Sequence, residues 1–116
     1  SNVGSSNSFS SLSYENYLVH DGNLVSIINE LKSANAEAIS INGKRIVDST
    51  CITCAGNVIQ INGEKVSSPF EIKAIGPKDQ LYGELSKSGG TIYKLKKYGV
   101  ITNIKKVDNI EIQKDI

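Results

Sequence analysis

Apolar residues fall at two different spacings along this chain, and the change from one to the other predicts its elements. Between Asp21 and Ala34, the residues Leu24, Ile27, Ile28 and Leu31 recur at three- and four-residue steps. That is the stripe of an amphipathic helix, with Asp21 placed as its N-cap. Asn35 follows where a helix end takes a left-handed residue, a conformation that Asn tolerates better than most side chains. From Glu37 to Ile41 the pattern turns to alternation, the signature of a strand.

The alternation then repeats. Ala38-Ile39-Ser40-Ile41-Asn42-Gly43-Lys44-Arg45-Ile46-Val47 is echoed twenty residues later by Val58-Ile59-Gln60-Ile61-Asn62-Gly63-Glu64-Lys65-Val66-Ser67. Each copy sets Asn-Gly between alternating apolar residues, and both central residues of a type I′ turn need positive φ, so each copy predicts a tight hairpin. The register follows: Ile39 opposite Ile46 and Ile59 opposite Val66, with Ser40 opposite Arg45 and Gln60 opposite Lys65 on the polar reverse. Two copies are too few for a solenoid, so they are expected to be neighbouring parts of one sheet. Phe70 to Ile75 reads as a strand. Gly76-Pro77 opens a helix with Leu81 and Leu85 on its buried side, stopped by Gly89-Gly90. Ile92 and Leu95 give a second short helix before Gly99, and Val100 to Ile104 and Ile110 to Ile112 read as strands around an Asp108-Asn109 turn. The expected fold class is α+β, a mostly antiparallel or mixed sheet with two to three helices packed on it, compatible with a ferredoxin-like arrangement.

Composition sharpens this picture in three ways. Sixteen Ile and eight Val against seven Leu, with no Met or Trp, favour pleated surfaces over helical cores. A length of 116 residues holds one domain. Ser1 to Ser13 carries seven serines and no charge, so residues 1–16 are expected to be a flexible linker, with Ser1-Asn2 reading as a cloning remnant and 17–116 as the domain. A chain without Met that starts at Ser1 is expected to be part of a longer protein. No uncharged apolar run approaches the roughly 20 residues of a spanning helix.

Thirteen Lys plus Arg against twelve Asp plus Glu leave a net charge of +1, so an electrostatic partner has to be met by a local patch. Lys94, Lys96, Lys97, Lys105 and Lys106 put five charges in thirteen residues with no acid among them, and Tyr93 and Tyr98 are interleaved. This is a candidate site for lipid headgroups or another polyanion, since Lys meets phosphate as a point charge. The single Arg and the lack of an aromatic platform motif argue against nucleic acid.

Conventional active-site chemistry is thinly represented. Cys51-Ile52-Thr53-Cys54 is a C-x-x-C, read either as a redox pair or as half of a zinc site. His20 is the one other soft or imidazole ligand in the chain, and residues three apart in an extended segment sit about 10 Å apart, too far for a disulfide. The cysteines are therefore expected to be structural, with no metal and no cofactor. His20 beside Asp21 lacks a recognisable nucleophile partner and reads as a capping or surface residue. Arg45, the sole guanidinium, reads first as an ion-pair partner of Glu37 or Glu30 tying hairpin to helix, and second as a ligand contact.

The string Asn29-Glu30-Leu31-Lys32-Ser33-Ala34-Asn35-Ala36-Glu37-Ala38-Ile39-Ser40-Ile41-Asn42-Gly43-Lys44-Arg45-Ile46 closely resembles the bacterial domain-of-unknown-function 881 family, the YlxW/YlxX-like proteins, over roughly residues 17 to 113. Cys54-Ala55-Gly56 and Pro69-Phe70-Glu71-Ile72-Lys73-Ala74-Ile75-Gly76 fall where that family has similar short motifs, and Asn35 stands where it has Gly. The resemblance implies an N-terminal membrane anchor, a coiled-coil stretch and this domain on the extracytoplasmic side of a bacterial cell membrane, near division and envelope functions, with no catalytic residue to carry over. A non-enzymatic interaction domain is the expected function, with protein partners and a homodimer as expectations. Asn29, Glu37, Asn42 and Arg45 form the candidate contact surface. The alternative is a ligand-binding or sensory domain in which Arg45 frames a pocket for an anionic small molecule or polyanion.

Overall fold

The computed structural model describes residues 2–13, 19–55 and 58–113, the first of these as backbone. In chain order the elements are β1 (Asn2–Ser13), α1 (Asp21–Ser33), β2 (Ala38–Ile41), β3 (Lys44–Ile46), β4 (Ile52–Ala55), β5 (Val58–Ile61), β6 (Glu64–Val66), β7 (Phe70–Ile75), α2 (Lys78–Ser86), α3 (Thr91–Lys97) and β8 (Ile101–Gln113). A five-stranded sheet runs β3-β2-β7-β1-β8 and a three-stranded one runs β4-β5-β6, with every pairing antiparallel. Setting β3 to β6 aside, the chain runs β1-α1-β2-β7-α2-α3-β8 with strand order β2-β7-β1-β8, which is the split βαβ order of a ferredoxin-like domain. The α+β expectation holds.

Both hairpins form in the expected register, Ile39 opposite Ile46 and Ile59 opposite Val66. Asn42 and Asn62 take φ of 48° and 51°, and Gly43 and Gly63 both take 81°, as the turn requires. Asn35 likewise takes the left-handed φ expected of it, 73°. The two copies nevertheless lie in different sheets, because the free edge of β5 is filled by β4 and not by the first hairpin. The Lys44–Glu64 ion pair links the two turns.

Three further expectations are corrected. Residues 2–13, read as linker, run as β1 between β7 and β8. Side-chain composition says little about a strand whose main-chain groups are hydrogen-bonded on both sides, because those bonds are independent of residue type. Ser1 and residues 14–16 of that expected linker lie outside the described residues. Asp108-Asn109 is not a turn: β8 continues through it, and the pairing steps from Ser5–Ile110 to Asn7–Val107, leaving two residues of β8 opposite one of β1. This is a β-bulge, where Asp and Asn satisfy the local kink without ending the strand. Lys78 Nζ hydrogen-bonds Asp108 Oδ1 at 2.8 Å, joining the first residue of α2 to the bulge. That bond holds the Asp108 carboxyl below its ordinary value and the Lys78 ammonium above its own. The third correction is the helix start: His20, not Asp21, is the N-cap of α1, with the His20 N–H donating to Asn23 Oδ1 at 2.8 Å and the Asn23 N–H to the His20 carbonyl at 3.0 Å.

The main core lies between the sheets and the helices. Leu24, Ile27, Ile28 and Leu31 of α1 pack with Ile39, Ile41, Ile59, Ile61, Phe70 and Ile72 of the strands and with Leu81, Leu85, Ile92 and Leu95 of α2 and α3. Each such side chain contributes roughly 1.5–3 kcal/mol by leaving water. A second cluster, Ala38, Ile75, Ile110 and Ile112, occupies the other face of the large sheet. The bulge allows this, since Val107 packs against the same cluster as Ile110 and Ile112 although strict alternation would set Val107 and Ile110 on opposite faces. The end of β8 touches β2 and β3, so the sheet curls around that cluster.

Candidate functional site

The first hairpin places Arg45. Its turn fixes Ser40 opposite Arg45, and Ser40 is buried while Arg45 is half-buried. Arg45 stands at the junction of two clefts. One, of about 410 Å³, is lined by Lys32, Ala36, Glu37, Ala38, Ile39, Ile46, Val47 and Asp48 besides Arg45. The other, of about 240 Å³, is lined by Gly43, Lys44, Ile61, Asn62, Glu64 and Gln113 with the same arginine. In the larger cleft, Lys32 from the last turn of α1 pairs with Asp48 at 3.2 Å. Glu37 is fixed by its backbone, whose N–H donates to the Ile75 carbonyl at 2.7 Å. Among the described residues neither the Arg45 guanidinium nor the Glu37 carboxylate forms an ion pair.

The expected ion pair of Arg45 with Glu37 or Glu30 is therefore absent among the described residues. Glu30 turns to α3 instead, where its Oε2 accepts from the Thr91 N–H at 3.1 Å and the Thr91 hydroxyl at 2.7 Å. A carboxylate at the start of a helix satisfies N–H groups that have no partner within the helix.

Of the four expected contact residues, Glu37 and Arg45 come together in the cleft. Asn29 is exposed on α1 and does not line it. Asn42 is engaged internally. Its N–H donates to the Glu71 carbonyl at 2.9 Å, its Oδ1 accepts from the Glu71 N–H at 2.7 Å, and its Nδ2 lies 3.3 Å from the carbonyls of Ser67 and Pro69. The repeat copies the device: the Asn62 N–H donates to the Cys51 carbonyl at 2.8 Å and its Oδ1 accepts from the Cys51 N–H at 2.9 Å. Each turn Asn thus clips its hairpin to a neighbouring segment. Asn42→Gly, which keeps the turn conformation and the backbone bond to the Glu71 carbonyl but removes the side-chain bonds of the clip, is expected to lower stability by about 1–2 kcal/mol in chemical denaturation.

The lysine patch is divided. Lys94, Lys96 and Lys97 are exposed on α3. Lys106 pairs with Asp79 at 3.1 Å and lies over the Tyr82 ring at 5.3 Å. Lys105, its neighbour in β8, points to the opposite face of the sheet. Cys51 and Cys54 are both free and exposed, and Cys54 Sγ accepts from the Asp21 N–H at 3.3 Å. Among the described residues no three His, Cys, Asp or Glu side chains converge to hold a metal ion. Lys32, Val47 and Asp48 were not picked out from sequence, because nothing in the spacing says that the end of α1 and the segment after β3 share a wall.

The model of the family described as "Bacterial protein of unknown function (DUF881)" matches residues 2–115. The chain belongs to the DUF881 family. Its curated relatives include the UPF0749 protein YlxW of Bacillus subtilis, 31% identical over 97 residues, which cover 84% of this chain and 42% of YlxW. The UPF0749 protein MT1871 of Mycobacterium tuberculosis is 32% identical over 99 residues, 82% of this chain and 32% of that protein. The DUF881 chain thus spans less than half the length of these relatives. Its fold is shared by an uncharacterized conserved protein from Mycobacterium tuberculosis solved by crystallography, with a TM-score of 0.89, 23% identity, and coverage of 96% of this chain and 80% of that one.

Proposed function

We propose that this DUF881 domain is a non-enzymatic binding module of a longer, membrane-anchored bacterial protein, and that it holds an envelope or division partner on the extracytoplasmic side through the Arg45 cleft. The observation that carries the reading is Arg45 itself: a half-buried residue lining a cleft of about 410 Å³, with no ion pair among the described residues. A planar guanidinium presents a fork of donors suited to a carboxylate of a partner chain. The apolar wall of Ile39, Ile46 and Val47 beside it supplies contact area. Among the described residues the short strand β3, which carries Arg45, pairs with β2 alone, and an unpaired strand edge can take up an extended segment. No helix among the described residues is long and apolar enough to cross a membrane.

A second reading is favoured by the size of the cleft, which falls among those of small-molecule sites: a sensory domain for a small anion. One experiment separates the two. A photoreactive side chain replaces Asp48 in the full-length protein in cells, and captured species are analysed after fractionation. The docking reading predicts a membrane-fraction adduct with a defined envelope protein, lost in Arg45→Glu. A soluble cytoplasmic pool, or an adduct indifferent to Arg45→Glu, contradicts it. Chemical-shift changes around Arg45 with small carboxylates, in the absence of any protein adduct, establish the sensory reading instead.

A further inference from the structure

At the opposite end of α1 from the Arg45 cleft, the corner between α3 and β8 is built to expose apolar side chains among lysines. Helix α3 ends in a Schellman motif: the Val100 N–H donates to the Leu95 carbonyl and the Gly99 N–H to that of Lys96, both at 3.0 Å, with Gly99 at φ 88°. Val100 and Leu95 are buried, which fixes the corner to the core. The residues on either side of that anchor are turned outward, Tyr98 with 69% and Ile101 with 58% of its surface exposed. Around them stand Lys94, Lys96 and Lys97, all exposed, none in an ion pair among the described residues, in a stretch without Asp or Glu from Ser86 to Val107. Lys97 Nζ lies 4.8 Å over the Tyr93 ring.

The helix dipole accounts for lysines in the last turn of α3. It does not account for Tyr98 and Ile101, which a rigid corner holds in water. We infer that this corner docks on an anionic phospholipid bilayer, with Tyr98 and Ile101 entering the headgroup layer and Lys94, Lys96 and Lys97 meeting lipid phosphates. Tyr places its ring at the membrane interface with its hydroxyl wet, and long lysine stems let the ammonium reach phosphates at several depths. The absence of Arg suits this occupant, since Lys recognises phosphate as a mobile point charge whereas fixed carboxylates of a protein partner favour the guanidinium fork. Helix α1, about 20 Å long, separates this corner from the cleft, so both are accessible at once.

The test is sedimentation of the chain with vesicles of phosphatidylcholine alone or mixed with phosphatidylglycerol. Binding is expected to the mixed vesicles only and to weaken with salt, with about a fivefold loss of partitioning for each of Lys94, Lys96 and Lys97 changed to Gln. Tyr98→Ser with Ile101→Ser is expected to weaken binding several-fold while leaving its salt dependence and the thermal midpoint unchanged, since neither side chain belongs to the core. Equal pelleting with neutral vesicles, or anionic binding indifferent to the lysine changes, overturns the inference. So does tight binding of soluble polyaspartate with no effect of the Tyr98 and Ile101 changes, which marks a polyanion site instead.

Discussion

Replacing Phe70 with Ala is expected to lower the stability of the domain by about 4 kcal/mol, with little change in the dependence on denaturant. Phe70 is 1% exposed and opens β7, the strand that lies between β2 and β1. Its ring belongs to the core cluster formed with α1, α2 and α3, so truncation leaves a cavity where three layers meet. The backbone around it limits collapse into that cavity: Glu71, the next residue, is clipped to Asn42 through both its N–H and its carbonyl. Against a total of about 5–15 kcal/mol for a domain of this kind, the loss is a large share. Urea denaturation followed by circular dichroism checks it. Phe70→Leu, which retains most of the apolar volume, is expected to cost less than half as much, and an Ala variant within about 1 kcal/mol of the parent contradicts the packing described.

Gly76→Ala is the second large effect, and it links stability to the cleft. A Cβ built on Gly76 lies 2.9 Å from the Asn35 carbonyl oxygen and 3.2 Å from the Ala36 Cα, both backbone atoms that cannot rotate away. The connection between α1 and β2 has to shift, at a cost of about 2 kcal/mol. Asn35 is already held at φ 73°, and the Glu37 N–H is bonded to the Ile75 carbonyl, so the shift is transmitted to Ala36 and Glu37, which line the cleft. The expected result is a lower thermal midpoint together with weaker partner binding. Gly83→Ala is the control: nothing lies within 4 Å of a Cβ there, the site is exposed in α2, and the change is expected to stabilise by up to about 1 kcal/mol. Equal effects of the two substitutions contradict the close approach.

Local patterns were legible where one interaction dominates. The Asn-Gly turns set φ and therefore register, so Ile39–Ile46 and Ile59–Val66 could be read directly. The period of α1 named Leu24, Ile27, Ile28 and Leu31 as buried, and they are. What escaped the reading depends on contacts distant in sequence. Seven serines in the first thirteen residues conceal β1, because the bonds of a central strand come from its neighbours. The two hairpins look like one unit but are parted by β4, whose residues carry no strong alternation. Asp108-Asn109 has the composition of a turn yet serves as a bulge, since Lys78 and the pairing with β1 hold β8 continuous. In the site, Arg45 was legible as the sole guanidinium and Glu37 as an acid within its reach, whereas the clip that the Asn42 side chain makes on Glu71 joins residues far apart in sequence and leaves no mark in the spacing. Lys32 and Asp48 join the cleft only through tertiary placement.

The central claim, that Arg45 is the anchor of a docking cleft, is tested most directly by the affinity of the partner captured at Asp48 for the purified chain and for its Arg45→Ala and Arg45→Lys variants. Truncating one member of a desolvated charge pair costs about 2–5 kcal/mol, so Arg45→Ala is expected to weaken binding at least thirtyfold. Arg45→Lys, which keeps the charge and loses the fork, is expected to fall between, with all three chains melting together. Unchanged affinity in Arg45→Ala, at unchanged stability, contradicts the account.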